Sequence, residues 1–275
     1  MTWRRRMANV ALVEQQMSKI ILCALIGGSA FAGFIGAQLV PTPAVGSVQV
    51  VKPASRSDEA TRSSPVVIEL FTSQGCSSCP PADMLASRLA KDDSLLVITR
   101  PVTYWDRLGW KDTLAREDNT RLQRAYAAKG NAGAGVYTPQ MVVNGGGGAV
   151  GSREGDIRSL VRRADRSGPL ITSSINASGQ IKVMISGKSD YMAGVSLIAL
   201  SSSETVRIGR GENGGRVMHY TNVVKDERVL GSWRGKPMTF VLPPERLNVR
   251  GADKYAIVLQ RPGAGPIVGA KLLDI

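Results

Sequence analysis

The sequence predicts two folded domains, an α/β domain over residues 65–167 and an all-β, sandwich-like domain over residues 168–275. Strand-like and helix-like segments alternate in the first part, which is typical of α/β proteins. From Leu170 onward, short apolar runs recur between Gly, Pro, Asn and Asp residues without a helical period. Such runs are typical of a β-sandwich or a barrel. The boundary is expected near Ser167–Pro169, where the character of the sequence changes.

The elements of the first domain each have a local signal. The run PVVIELFTS predicts a buried strand, and PPADMLASRLAKDD predicts a helix that carries two prolines in its first turn. SLLVITRPVTYW predicts a second strand, and the long amphipathic helix that follows ends near Gly130. VYTPQMVV then predicts a third strand. The segments before residue 167 predict a short strand and a terminal helix.

Residues 1–46 have the features of an export signal or a membrane anchor. Basic residues precede an uncharged apolar run, Ile20 to Val40, that is long enough to span a bilayer. Small residues at Ala30–Ala32 and Ala44–Gly46 suit cleavage by a signal peptidase. We therefore expect the bulk of the chain in the periplasm or outside the cell, either released or tethered at its N-terminus. Residues 47–64, rich in Pro, Ser and charge, predict a linker.

The composition is that of a globular protein with a basic surface. Of the 275 residues, 43% are hydrophobic and 21% are charged, and the formal net charge is +13. Aromatic residues make up only 5% of the chain, which leaves few platforms on which bases could stack. Together with the predicted export, this argues against nucleic acid as a partner.

Cys76 and Cys79 form a CxxC motif in the predicted exported part, whereas the third cysteine, Cys23, lies in the apolar N-terminal run. A structural zinc site takes four nitrogen or sulfur ligands, and the only histidine, His219, belongs to the other predicted domain. We therefore predict no structural zinc and no cofactor. A two-coordinate Cu(I) site would need only the two thiolates and is kept as an alternative. In an oxidising compartment the expected state of the pair is a disulfide.

The position of the pair between a strand and a helix suits thiol–disulfide exchange. It places Cys76 at the predicted helix N-terminus, where unpaired N–H groups and the helix dipole stabilise a thiolate. Asp83, one turn further along, opposes that effect slightly. Cys79 is then the resolving thiol, which attacks a mixed disulfide.

Four motifs carry a resemblance to a known family. They are ELFTSQGCSSCPPAD, YWDRLGWKD, YTPQMVVNG and GRGENGG, which lie between residues 65 and 275. Together with the order of predicted elements, they resemble a secreted thioredoxin-like family of unknown function, domain of unknown function 1223 (DUF1223). The resemblance implies an α/β thioredoxin-like domain followed by an all-β domain, and it does not imply one established activity.

The resemblance also implies further residues of the site. Thioredoxin-like proteins place a cis-proline opposite the CxxC pair, preceded by a residue whose backbone pairs with the substrate, and Thr138–Pro139 matches that position. They often keep a buried acid as the proton acceptor of the resolving cysteine. Glu69 is the candidate here, although it lies one residue further from the pair than that acid. Its alternative is a partly exposed carboxylate at the end of a strand.

The motif YWDRLGW follows the second predicted strand on the side nearest the cysteines. Trp105 and Trp110 are candidates for the wall of a substrate groove, and Asp106 is a candidate for assisting proton transfer. The alternative is a loop that two buried indoles anchor. The glycine-rich motif GRGENGG is expected to be a turn, with its charged residues at a domain interface.

The sequence therefore predicts an exported thiol–disulfide oxidoreductase that acts on protein thiols or disulfides through Cys76 and Cys79. One alternative is a non-enzymatic extracytoplasmic binding protein with a permanent disulfide, in which the β-domain or the Trp105–Trp110 loop holds the partner. The other alternative is a Cu(I) chaperone that uses the same two thiols.

Overall fold

The computed structural model describes residues 64–130 and 135–274. The predicted signal or anchor and nearly all of the predicted linker lie outside these residues. None of the helices in the described part is long and apolar enough to cross a membrane.

Eleven strands and three α-helices make up the regular structure of the described residues. The strands are β1 (Val66–Thr72), β2 (Leu95–Pro101), β3 (Gln140–Val143), β4 (Gly147–Val150), β5 (Leu170–Ile175), β6 (Ile181–Ser186), β7 (Ala193–Arg207), β8 (Val217–Trp233), β9 (Met238–Leu242), β10 (Lys254–Gln260) and β11 (Ile267–Leu272). The helices are α1 (Pro80–Leu89), α2 (Glu117–Ala128) and α3 (Glu154–Arg163), and short 3-10 helices span Asp106–Leu108 and Pro244–Leu247.

The fold is mostly β, which corrects the predicted fold class. Strands hold 41% of the described residues and helices 19%, and one mixed sheet of eight strands organises this part of the chain in the order β11-β10-β7-β8-β2-β1-β3-β4. The prediction of an α/β thioredoxin-like domain followed by an all-β sandwich-like domain is therefore wrong. Strands and helices do alternate in the first part of the chain, as predicted. The strands of that part, however, belong to a larger sheet.

Strand pairing explains why the sheet is larger than the sequence pattern suggested. β2 pairs in parallel with β1 on one side and meets β8 through Thr99 and Val223 on the other. Strands from before and after residue 167 therefore belong to the same hydrogen-bonded sheet. The second sheet, β5-β6-β9, lies beside a core that includes residues of β7 and β10.

β1 lies inside the large sheet, and all of its residues are buried. Because side chains alternate between the two faces of a strand, Ile68 and Leu70 pack with Leu85 of α1. Phe71 points to the other face, where it packs with Tyr126 of α2. This alternation determines which side chains of β1 can approach the start of α1.

A buried ion-pair network joins three neighbouring strands. Arg100 of β2 donates from Nε to Oε1 of Glu69 on β1 at 2.6 Å, and from a terminal nitrogen to Oε2 of Glu227 on β8 at 2.9 Å. Tyr126 donates its hydroxyl to Oε2 of Glu69 at 2.6 Å. Burial opposes the charge on Arg100, but the carboxylates of Glu227 and Glu69 outweigh it and raise the arginine pKa.

The β7–β8 hairpin is long, because its strands have 15 and 17 residues. The first part of β7 is buried in the large sheet, whereas the part near the turn alternates between intermediate and exposed residues. Near its end, Ile208, Met218 and Tyr220 pack with Trp110. The turn of the hairpin is thereby brought to the segment that follows β1.

We predict that Arg100→Met lowers the free energy of unfolding by about 3–5 kcal/mol, because it leaves the Glu69 carboxylate buried without its partner. Arg88→Met is the control, since the side chains of the Arg88–Glu154 pair are 58% and 38% exposed. That variant should change the free energy by less than about 1 kcal/mol. Urea unfolding followed by tryptophan fluorescence measures both, and equal losses would contradict the prediction.

Candidate functional site

The site is built on the segment between β1 and α1, residues 73–79, which we call the CxxC turn. Cys76 and Cys79 form a disulfide there, as expected for the pair. Both cysteines are 0% exposed, whereas the intervening Ser77 and Ser78 are exposed. The turn therefore meets solvent through its two serines, while its two cysteines are buried.

The start of α1 differs from the expectation for a thiolate at Cys76. Cys79, and not Cys76, is the N-cap residue, and prolines occupy the first two helical positions. These prolines have no N–H group, and the N–H groups of Ala82 and Asp83 donate to the carbonyl of Cys79 at 2.8 and 3.1 Å. The N–H groups that were expected to be unpaired at this helix start are therefore either missing, at the two prolines, or already bonded, at Ala82 and Asp83. The hydroxyl of Ser78, 3.3 Å from Cys76 Sγ, is the polar neighbour of that sulfur.

The Thr138–Pro139 peptide bond is cis, which confirms the conformation that the resemblance implied. Phe71 at the end of β1 lies opposite Gln140 of β3. The register therefore places Thr138 and Pro139 beside the point at which β1 ends and the CxxC turn begins. A side chain added at Gly151 would come within 3.2 Å of Pro139 and 3.1 Å of Ala82 in α1, so this proline is packed close to the helix.

Trp105 connects that proline segment to the CxxC turn. Its indole Nε1 donates to Oγ1 of Thr138 at 2.8 Å. A Cβ placed on Gly75 would lie 3.3 Å from the Cβ of Trp105. Glycine at position 75 thus allows the turn to approach the indole closely. Trp105 is partly exposed, and its role as the wall of a substrate groove stays a prediction.

Trp110 has a different environment and is anchored through Gln74. Its Nε1 donates to Oε1 of Gln74 at 2.8 Å, and the Gln74 amide nitrogen donates to Oγ1 of Thr113 at 3.1 Å. The backbone N–H of Gln74 donates to Oδ2 of Asp112 at 2.8 Å. Gln74 is fully buried, so it holds the turn against the Trp105–Trp110 loop. This agrees with the alternative of a loop anchored by an indole.

Asp106 lies within the same loop, and its Oδ1 accepts the N–H of Asp112 at 3.0 Å. The sequence offered Asp106 as a group that assists proton transfer. In the structure its carboxylate supports the backbone of the loop. It is linked to the CxxC turn through Asp112, which accepts the N–H of Gln74.

Glu69 does not lie with the cysteines. It points to the face of the sheet that carries α2, where it accepts hydrogen bonds from Arg100 and Tyr126. α1 packs on the opposite face through Ile68 and Leu70. The carboxyl group of Glu69 is therefore occupied by the guanidinium of Arg100 and the hydroxyl of Tyr126.

Asp83, in the first turn of α1, is a buried acid close in sequence to the CxxC turn. Its Oδ1 accepts from Oγ1 of Thr72 at 2.8 Å, while its Oδ2 is buried without a hydrogen-bond partner. Burial raises the pKa of Asp83 well above its usual range, the bond from Thr72 lowers it, and the charge of Asp112 raises it. Burial also raises the pKa of Tyr220, and the charges of Asp83 and Asp112 add to that effect. The sequence places Asp83 in the first turn of α1, but it gives no signal that this carboxyl group is buried.

The turn of the β7–β8 hairpin, residues 208–216, covers the CxxC turn. Asn213 is 1% exposed, and its Nδ2 donates to the carbonyl oxygens of Gln74 and Cys76 at 3.0 and 2.8 Å. Oε2 of Glu212 accepts the N–H of Ser77 at 3.0 Å. The sequence singled out GRGENGG as a turn, but it could not show that Glu212 and Asn213 reach the cysteines.

The described residues contain no group of three or more His, Cys, Asp and Glu side chains that could hold a metal ion. His219 lies exposed on β8, and its Nδ1 is 2.9 Å from Oγ1 of Thr205. In their oxidised form, the two cysteines bond to each other. The site therefore consists of a disulfide, two neighbouring indoles, a buried acid and a covering turn.

We predict that Asp83→Asn removes a loss of stability that the protein suffers as the pH rises. Because the pKa of Asp83 is higher in the folded than in the unfolded chain, the folded state binds the proton more tightly. The stabilisation that this bound proton gives is complete below the pKa of Asp83 in the unfolded chain, about 3.9. It is lost as the pH rises through the higher pKa of Asp83 in the folded chain. Urea unfolding at pH 4 and pH 7.5 should show the protein losing stability relative to Asp83→Asn. An unchanged difference would contradict this, and Asp93→Asn, at an exposed position, is the control.

Comparison with known proteins places the chain in a family. No functionally curated protein matches it. Its structure resembles the crystal structure of Protein AGR_C_4864 from Agrobacterium tumefaciens, with a TM-score of 0.66 and 30% identity, over 76% of this chain and 93% of that chain. It also resembles HBP35 of Porphyromonas gingivalis in fold, with a TM-score of 0.50 and 12% identity, over 78% of this chain and 76% of that chain. Residues 67–260 match the family described as Protein of unknown function (DUF1223), and the chain therefore belongs to that family.

Proposed function

We propose that the protein is an exported thiol–disulfide oxidoreductase that acts on protein thiols or disulfides through Cys76 and Cys79. The observation that carries the proposal is a disulfide that closes a turn between a strand and a helix, beside Trp105 and the Thr138–Pro139 segment. The exposed Ser77 and Ser78 offer a backbone against which a partner chain can lie.

The size of the disulfide loop favours chemistry over stabilisation. The two cysteines are separated by only 3 positions. In the chain-entropy model, such a short loop contributes about 2 kcal/mol, against about 3 kcal/mol for a 15-residue loop. The large sheet and its buried cores already hold both ends of this turn. A structural role alone is therefore a weak reason for the pair.

In the reductive direction, a partner thiolate attacks Cys76 Sγ, and the Cys76–Cys79 bond breaks as the new S–S bond forms. The electron pair of the broken bond goes to Cys79 Sγ. A second thiolate of the partner then releases Cys76, so that the partner leaves as a disulfide and the CxxC pair holds two electrons. The oxidative direction is the reverse of these steps.

Asp83 supports this chemistry better than Glu69 does. It lies four residues after Cys79 in α1, and residues with that spacing share a face of a helix. Its raised pKa keeps the carboxyl protonated at pH values where an ordinary aspartate is ionised. We therefore assign to Asp83 the proton that the Cys79 thiolate takes up when the disulfide is reduced.

A non-enzymatic binding protein with a permanent disulfide is the second candidate. The observation that favours it is the complete burial of both cysteines. In that case the exposed surface around Trp105 binds the partner and the disulfide only shapes the turn. Cu(I) delivery would require reduction of the pair first, and an anaerobic Cu(I) titration of the reduced protein tests for it.

We predict a reduction potential between about −120 and −270 mV for the Cys76–Cys79 pair, which is the range of working oxidoreductases. Thiol trapping across glutathione and dithiothreitol buffers measures it. A potential below about −300 mV would identify a structural disulfide and favour the binding protein. Cys76→Ser should abolish insulin reduction, because the thiolate that attacks the insulin disulfide is lost. Cys23→Ser is the matched control and should leave the activity unchanged.

A further inference from the structure

We propose that residues 208–216, the turn between β7 and β8, form a latch that must lift from the CxxC turn before a partner thiolate can reach Cys76. We call this segment the latch loop. The inference rests on the proposed function, because it concerns access to the same disulfide. It assigns Glu212 and Asn213 as the residues that control this access.

Asn213 makes the central contact of the latch loop. Its amide nitrogen bridges the carbonyl oxygens of Gln74 and Cys76, at 3.0 and 2.8 Å. Arg216 donates to Oδ1 of the same side chain at 3.1 Å, which fixes the orientation of the amide. Because Asn213 is almost fully buried, its two hydrogen bonds to the CxxC turn are lost together when the loop lifts, unless water replaces them.

Glu212 makes the outer contact, at the exposed Ser77 of the CxxC turn. Its carboxylate accepts the N–H of Ser77 at 3.0 Å. Hydrogen bonds from Ser77 keep the pKa of Glu212 below its usual range, so the carboxylate is ionised and its acceptor strength is high. The contact lies at the solvent boundary, where an acceptor on a partner chain can replace it.

The latch loop is built to close tightly and to move as one piece. A Cβ at Gly209 would lie 2.8 Å from the Trp110 ring, so glycine is required for the loop to pack on this indole. Within the loop, Gly215 N–H donates to Ile208 O at 2.8 Å, and Gly214 N–H donates to Gly211 O at 3.0 Å. These internal bonds are independent of the CxxC turn and persist when the loop lifts.

The latch explains how a disulfide with both cysteines 0% exposed can take part in exchange. Attack on Cys76 Sγ proceeds only from the open form, so the reduction rate follows the open population. Lifting also frees the N–H of Ser77. We therefore assign as partner an extended polypeptide segment that carries a cysteine and a neighbouring carbonyl or carboxylate oxygen to accept this N–H.

The test is the rate at which a water-soluble trialkylphosphine reduces the disulfide in the full chain. The phosphine attacks one sulfur and breaks the S–S bond, and water then converts the adduct to phosphine oxide, which leaves two thiols. Asn213→Ala and Glu212→Ala should each raise the rate, with Asn213→Ala about tenfold faster because it loses its bonds to the turn. Glu245→Ala, at an exposed position of the 3-10 helix Pro244–Leu247, is the control.

Equal rates for the protein, both latch variants and the control would overturn the proposal. Amide hydrogen exchange at Ser77 gives a second readout that does not depend on the phosphine. Glu212→Ala should speed exchange at Ser77 while the amides of β1 keep their protection. If the β1 amides lose protection to the same extent, the disulfide becomes accessible only by unfolding, and the latch is wrong.

The latch and the oxidoreductase can fail separately. A reduction potential below the range of oxidoreductases, together with faster reduction of the latch variants, would remove the proposed function and leave the latch in place. A potential within that range, together with rates that Asn213→Ala does not change, would leave the function in place and remove the latch.

Discussion

The rest of the structure depends on the ion pairs that the buried guanidinium of Arg100 makes with Glu69 and Glu227. Arg100 lies on β2 and contacts carboxylates of β1 and β8, so it marks the place where the early and late strands of the chain meet. Those two strands are joined to β2 on opposite sides, and the contact between β2 and β8 is short. The ion pairs therefore support a junction that few ladder hydrogen bonds hold. The same junction directs the β7–β8 hairpin toward the CxxC turn.

Two buried acids, Glu69 and Asp83, have different surroundings. Glu69 accepts hydrogen bonds from Arg100 and Tyr126, so its carboxyl group supports the sheet. Asp83 faces a threonine hydroxyl and other acidic groups, and burial favours its neutral form. Of the two, only Asp83 lies in the first turn of α1. The pKa of a buried carboxyl group depends on the charged groups around it as well as on burial.

The local features of the site were largely predictable, whereas its enclosure was not. A CxxC motif between a strand and a helix, the expected disulfide and the cis bond before Pro139 all follow from short stretches of sequence or from the family resemblance. The burial of Asp83, the anchoring of Trp110 by Gln74 and the cover provided by Asn213 depend on contacts between distant segments. No periodicity or spacing in one chain encodes such contacts.

The sequence by itself determined where most strands and helices form, because hydrophobic alternation, prolines and glycines act within a few residues. It also determined the chemistry available at the CxxC turn, which is that of two sulfur atoms. Only the tertiary structure decided that the strands on both sides of residue 167 share one sheet, because pairing of β2 with β8 joins residues more than a hundred positions apart. The same pairing decided which face of β1 meets α1 and which loop covers the disulfide. These are consequences of packing, and they appear only once the whole chain is folded.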